Sequence, residues 1–297
     1  MMTARKNEPR KPHVPDAIRN ATRAEIDEII EWAAREGRNP GLDDASAFYA
    51  ADMQGFWVVE EGGALAAAIS VVRFGPDYAF LGFYMAHPDF RGQGLGYALW
   101  QAALAAQGTR IIGLDGVVAQ QASYQRSGFA YAHANMRYGG TPQVTPPPGT
   151  DLVEVAPVHL PLLIDYDARF SPARREAFLG QWLKTQPARQ SIALLRGADV
   201  QGYGTIRTCR EGQKIGPLFA DTETGADLLF RKLVATGLEM GGDGQIFLDI
   251  PEPNGAAKAL CERYNLKPVF ETARMYRGEV PDLPLSRIFC ITTFELG

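Results

Sequence analysis

The spacing of apolar residues along the chain changes period many times, and the changes come in the same order twice. A four-residue run at 17–20 predicts a short strand, and Thr22 stands three residues before Glu25, the spacing of a capping box. Ile26, Ile29, Ile30 and Ala33 then recur at i, i+3, i+4 and i+7, which predicts a helix over 23–36. A second short helix is expected at 43–52. Apolar runs at 56–60 and 65–73 flank Gly62-Gly63 and predict a hairpin, and an aromatic-rich strand follows at 78–86. Leu95, Leu99, Ala102 and Ala106 mark a helix over 94–107, followed by a strand at 110–114, a short helix at 119–126 and a strand at 129–138.

Near the midpoint, Gly139 to Thr150 carries Pro146, Pro147 and Pro148 in a row. Prolines lack the N–H that a helix or a central strand needs, so this stretch predicts a linker. Beyond it come a strand at 152–155, helices at 160–169 and 173–184, strands at 191–196, 200–208 and 214–220, a helix at 224–238, a strand at 245–250, a helix at 255–264 and a strand at 269–276. Ser127 to Gly139 echoes Asn265 to Gly278. A repeat this long predicts two copies of one α/β domain, because solenoid units are only ~20–50 residues long. The expected boundaries are a disordered tail at 1–15, a first domain at 16–140, a linker at 141–150 and a second domain at 151–297. The closing run, 287–296, alternates Ile288, Cys290, Thr292 and Phe294 like a strand and has no counterpart before the linker.

Composition narrows the function. At 46% hydrophobic and 22% charged residues the chain reads as globular rather than disordered or fibrous. The net charge of -4 argues against nucleic acid as a partner, which demands clustered Lys and Arg. No apolar run reaches the ~18–20 residues of a membrane span, and the basic, proline-containing start is no secretory signal, so no membrane partner is expected. Cys209, Cys261 and Cys290 are odd in number and far apart, which predicts reduced thiols, a cytoplasmic setting and no metal site.

The sharpest chemical signal is Arg91-Gly92-Gln93-Gly94-Leu95-Gly96, between a strand and an apolar helix. Closely spaced glycines let successive N–H groups approach a ligand, and a helix N-terminus adds unsatisfied donors and partial positive charge, a combination suited to a diphosphate. A dinucleotide fingerprint would need glycine at Tyr97, and a phosphate-binding P-loop would need Lys-Ser/Thr near Ala98-Leu99, so both fail. Arg-x-x-Gly-x-Gly after a strand ending in His87-Pro88 resembles the coenzyme A loop of the GNAT N-acetyltransferase superfamily, and the order of elements across the first half is similar too. The resemblance implies tandem domains, each a central mixed β-sheet flanked by helices.

The same resemblance implies roles for matching residues, with acetyl-CoA as acyl donor. Backbone groups of Phe83, Tyr84 and Met85 would pair with the pantetheine arm, and an N–H near Met85 would face the thioester oxygen. Arg91 and the N–H groups of Gly92, Gln93, Gly94, Leu95, Gly96 and Tyr97 would hold the diphosphate. Tyr124, four residues before Gly128-Phe129, would be the general acid, with Gln120 one turn earlier where the family often has asparagine. The base is open, because strand 78–86 has no Asp or Glu and several family members carry a carboxylate there. A water chain or a residue of the second half could serve. His87 is expected to fix the turn at Pro88, and His13, His133 and His159 lack partners at useful spacing.

The second copy departs from the pattern. Asp221-Thr222-Glu223-Thr224-Gly225 replaces the glycine loop with two carboxylates that would repel a diphosphate, and an offset of 137 places Cys261 where Tyr124 stood. The second half is expected to wall the acceptor side, with Tyr166, Asp167, Arg169, Asp249 and Glu252 as candidate contacts: an Arg suits a carboxylate and an Asp an ammonium. Similarity to bacterial double-GNAT proteins extends to 166–182 and to Phe294-Glu295-Leu296-Gly297. The activity implied is N-acetylation of a small-molecule, amino-acid-like primary amine. The alternatives are a non-catalytic acyl-CoA sensor and a protein-lysine acetyltransferase. Oligomeric state, monomer or homodimer, is left open.

Overall fold

The computed structural model describes residues 17–149 and 151–297; the tail expected at 1–15 lies outside them. The first half begins with β1 (Ala17–Asn20), α1 (Arg23–Arg35) and α2 (Asp44–Ala51). Thr22 caps α1 as its spacing predicts: its Oγ1 accepts from the Glu25 N–H while the Glu25 carboxylate accepts from the Thr22 N–H. Strands β2 (Phe56–Glu61), β3 (Ala64–Arg73) and β4 (Tyr78–Ala86) follow, then α3 (Leu95–Ala105), β5 (Ile111–Val117), α4 (Gln121–Arg126) and β6 (Ala130–Gly140). β5 and β6 run further than their apolar cores suggest; β6 takes in Gly139 and Gly140, and the irregular connection starts at Thr141.

The second half holds β7 (Leu152–Glu154), α5 (Leu160–Asp167), α6 (Glu176–Trp182), β8 (Arg189–Arg196), β9 (Asp199–Thr208), β10 (Gln213–Ala220), α7 (Glu223–Glu239), β11 (Ile246–Pro251), α8 (Gly255–Arg263) and β12 (Lys267–Arg277). Of the run expected at 287–296, only β13 (Ile288–Cys290) forms a strand; the residues after it leave the ladder and cross the inner face of the sheet.

Both halves share one mixed sheet of 13 strands among the described residues, ordered β1-β2-β3-β4-β5-β12-β6-β11-β10-β9-β8-β7, with β13 on β10. The last long strands of the halves are exchanged: β12 lies between β5 and β6, and β6 pairs with β11. The inner face packs α1 and α2 against α5 and α6 in a core shared by both halves, with Phe48 stacked 6.2 Å from Trp182. The outer face carries α3 over the first half and α7 with α8 over the second, each on its own cluster.

Candidate active site

β4 and β5 are parallel and pair only from Tyr78/Ile111 to Leu81/Leu114. Beyond that point they splay. The cause is a bulge: between Gly82 and Met85 β4 spends one more residue than β3 does opposite, and Phe83 takes a left-handed φ of 46°. An extra residue bends a strand and re-aims its side chains. Burial of the Phe83 ring against Phe48 and Phe56 holds this uncommon conformation.

The splay opens a cavity of about 940 Å³ lined on one wall by Leu81, Gly82 and Tyr84 and on the other by Leu114, Asp115 and Gly116. Trp100 of α3, Tyr124 of α4 and Gln120 just before α4 close it. The Tyr124 ring stacks on Trp100 at 5.7 Å and rests on Gly116, where an added Cβ would overlap it. Burial pushes the Tyr124 hydroxyl above its ordinary pKa, with the Arg38 guanidinium partly opposing. Tyr84 is pushed up to about 12, by burial first and then by Tyr124 and Tyr97 nearby.

The glycine loop sits at the cavity's end. Gly94 is the N-cap of α3 with φ 87°, and Gly92 has φ 77°, both in the region only glycine enters cheaply. Gly94 offers no capping side chain, and the N–H groups of Gly92 to Tyr97 have no acceptor among the described residues. Arg91 pairs with Glu36 at 2.6 Å, and Glu36 also approaches Arg38 at 3.7 Å. Arg38 in turn donates to the Tyr84 carbonyl at 3.2 Å, so a chain of charges joins the loop to the bulge. His87 accepts from the Asp89 N–H, the turn-fixing role its place before Pro88 predicts. Burial and Arg274 lower His133 to about 4 despite a hydrogen bond with Asn135.

The second half has the same splay in a different state. β10 and β11 pair only to Ile215/Leu248, and β10 has a matching irregularity between Ile215 and Leu218. Here the chain fills the gap itself: β13 pairs with β10, and the Ile291 N–H donates to the Asp249 carbonyl. At the start of α7 the Thr222 hydroxyl accepts from the Gly225 N–H, occupying a donor that Gly94 leaves free in the first half. Cys261, which the offset of 137 sets at the place of Tyr124, is fully buried, and burial pushes its thiol up to about 12.

The expected cofactor residues Tyr84, Tyr97, Gln120 and Tyr124 line the cavity together, and Gly96 lies against the Tyr84 hydroxyl at its edge, whereas Phe83, Met85 and Arg91 to Leu95 do not line it. The expected acceptor residues do not line it. Tyr166 donates to Asp221 and to the Gln201 carbonyl, Arg169 pairs with Asp221, and Asp167 is buried in a bidentate pair with Arg175. Asp249 is committed to Arg137, and Glu252 faces solvent. Arg38 and Asp115, which line the cavity, escaped the sequence reading. Asp115 had a legible signal, a lone acid in the apolar strand Ile111-Ile112-Gly113-Leu114.

The fold, the splayed strands and the glycine-capped helix define the class, and comparison with known proteins agrees. Residues 23–129 match the Acetyltransferase (GNAT) family model and residues 163–290 match an Acetyltransferase (GNAT) domain model. The chain belongs to the GNAT superfamily, as a tandem acyltransferase with one such domain in each half. It is 29% identical over 271 residues, 91% of this chain and 90% of the other, to a holothin acyltransferase of Pseudoalteromonas sp. (strain SANK 73390). A putative acetyltransferase of Pyrococcus horikoshii superposes with a TM-score of 0.77 at 18% identity, covering 98% of this chain and all (100%) of that one. A tandem GNAT protein from the clavulanic acid biosynthesis pathway superposes at 0.60 with 16% identity, covering 89% of this chain and 99% of that one. No helix among the described residues is long and apolar enough to cross a membrane.

Proposed function

We propose that the first half transfers an acetyl group from acetyl-CoA to the primary amine of a small molecule, while the second half has given up donor binding. The observation that carries this reading is the coincidence, in the first half only, of an open strand gap with a helix start whose N–H groups lack acceptors. In the second half β13 occupies the corresponding gap.

On this reading the free N–H groups from Gly92 to Tyr97, with Arg91 beside them, hold the diphosphate through hydrogen bonds and the positive end of α3. Phe83, Tyr84 and Met85 present backbone groups to the pantetheine arm along the unpaired edge of β4, with Gln120 opposite. The Arg38 guanidinium now on the Tyr84 carbonyl yields that acceptor when the arm enters. The Met85 N–H stabilises the developing oxyanion, an effect of roughly 3–4 kcal/mol per donor in other enzymes. Tyr124, still protonated at neutral pH, gives its proton to the departing sulfur, whose free thiol has a pKa near ~8.5. The name of the holothin acyltransferase relative supports acyl transfer as the reaction. Residues 16–140 form the donor domain and 151–297 the acceptor-side domain across the 141–150 linker, with the exchanged strands tying them together.

The test is acetyl-CoA titration by calorimetry together with thiol release over a panel of amino acids, polyamines and aromatic amines. Donor binding at one site per chain and turnover with at least one amine are expected. Heat without turnover would favour a sensor, and no heat at all would retire the reading.

A further inference from the structure

Arg38 stands two residues beyond Glu36, the C-cap of α1, and its backbone is clamped. The Arg38 carbonyl accepts from Lys214 Nζ of β10 at 2.8 Å and from Arg137 of β6 at 3.4 Å, and both cations are buried. Next along, Asn39 takes a left-handed φ of 51° and exchanges two hydrogen bonds with the backbone of Glu211. The pivot is fixed from the second half, and only the Arg38 side chain, 33% exposed, has room to swing.

One guanidinium nitrogen faces two acceptors. Arg38 Nη2 donates to the Tyr84 carbonyl at 3.2 Å and lies 3.7 Å from Glu36 Oε2. Glu36 is itself engaged, because its Oε1 accepts from Arg91 at 2.6 Å. Arg91 also donates through Nε to the Ala86 carbonyl, at the end of β4. Arg91 and Arg38 therefore compete for one carboxylate, and that carboxylate competes with the Tyr84 carbonyl for one nitrogen. Arg38 and Tyr84 line the donor cavity, whereas Glu36 and Arg91 do not. A charge pair held beyond hydrogen-bond distance tightens once the rival cation turns elsewhere, since a charge-assisted hydrogen bond is stronger than one to a neutral carbonyl.

We infer that Glu36 and Arg38 are positioning residues that couple the two ends of the donor: a diphosphate at the glycine loop draws Arg91 off Glu36, Glu36 closes on Arg38, and the Tyr84 carbonyl is uncovered for the pantetheine arm. The inference rests on the acetyl-CoA reading of this cavity. The Arg38 N–H now fills the acceptor that an amide N–H of the arm would take. Each step exchanges one partner for another and strands no charge. Arg91 passes from carboxylate to phosphate, Arg38 from carbonyl to carboxylate, and the Tyr84 carbonyl from guanidinium to amide. Coupling of this kind is reciprocal, so an arm already in the gap favours Arg91 on the diphosphate. The second half takes part in donor binding as well, because Lys214 and Glu211 hold the pivot.

The experiment titrates acetyl-CoA by calorimetry into the full chain as wild type, Glu36→Gln, Arg38→Met and the double variant. Both side chains are a third exposed, so neither substitution strands a buried group. Arg38→Met removes the cover and is expected to bind acetyl-CoA at least as tightly as wild type. Glu36→Gln releases Arg91 in either background, but only beside Arg38 does it also deprive the cover of its second partner. Its effect on affinity should therefore be about fivefold less favourable with Arg38 present than in the Arg38→Met background, the factor that one half-exposed ion pair carries. The donor is then offered in two pieces. ADP should tighten acetyl-pantetheine binding by about fivefold in wild type, less at high salt, and not in Arg38→Met. Equal effects of Glu36→Gln in the two backgrounds, or pieces that bind wild type independently, would overturn the coupling while leaving the donor reading intact. No acetyl-CoA heat in wild type would retire both.

Discussion

Asp115 on β5 grips Arg274 on β12 through two hydrogen bonds of 2.8 and 2.7 Å, and both side chains are buried. The pair is mirrored. Asp249 on β11 grips Arg137 on β6 in the same way, and each acid is the first residue of its strand beyond the parallel pairing that ends at a gap. In each pair the carboxylate belongs to one half and the guanidinium to the other, so exchange of β6 and β12 places two crossed ion pairs beside the two gaps. A third contact, from Asn135 to Asp115 at 2.7 Å, brings β6 into the first of them.

Breaking such a pair on one side strands a buried charge. Arg274→Met or Asp115→Leu alone is expected to cost about 3–5 kcal/mol, because the partner keeps its desolvation penalty and loses its counter-charge. The double substitution should be markedly less harmful than the worse single one. Urea midpoints for the four proteins measure this; additive losses would show that the two side chains act independently.

Gly82→Ala is expected to loosen the closing segment. The new methyl group would collide with the Glu295 backbone, which cannot rotate away as a side-chain tip could. Limited proteolysis should then cut within 291–297 faster than in wild type. Protection equal to wild type would mean that β4 shifts instead.

Tyr124→Phe keeps the ring on Trp100 and Gly116 and removes only the hydroxyl. Turnover should fall by ~10²–10⁴-fold with cofactor affinity nearly intact. Burial raises the Tyr124 pKa, so the alkaline limb that its ionisation gives the wild-type pH profile should lie above the ordinary tyrosine value and vanish in the variant. A rate within about twofold of wild type would remove the acid role.

Local sequence was enough for most elements because their signals are local. Thr22 and Glu25 sit one helical turn apart and cap α1 whatever else the chain does. Strand β4 begins and ends where its apolar run does. Arg91 to Gly96 advertises positive φ and a free helix start by glycine spacing alone. The loss of that loop in the second half was equally plain from Asp221 and Glu223.

What tertiary structure decided depends on partners distant in the chain. Nothing near Arg274 in sequence announces that β12 will lie against β5, 159 residues away, because strand pairing is set by a global fit and not by local period. The same holds for the acceptor side. Tyr166, Asp167 and Arg169 looked available as a cluster, but Tyr166 and Asp167 are buried against Asp221 and Arg175, and the exposed Arg169 is paired with Asp221. Glu295 stands in the closing Phe294-Glu295-Leu296-Gly297 run, and only the fold brings its backbone to Gly82. Propensity and capping act over a few residues, whereas desolvation and charge pairing are settled by whatever the chain brings into contact.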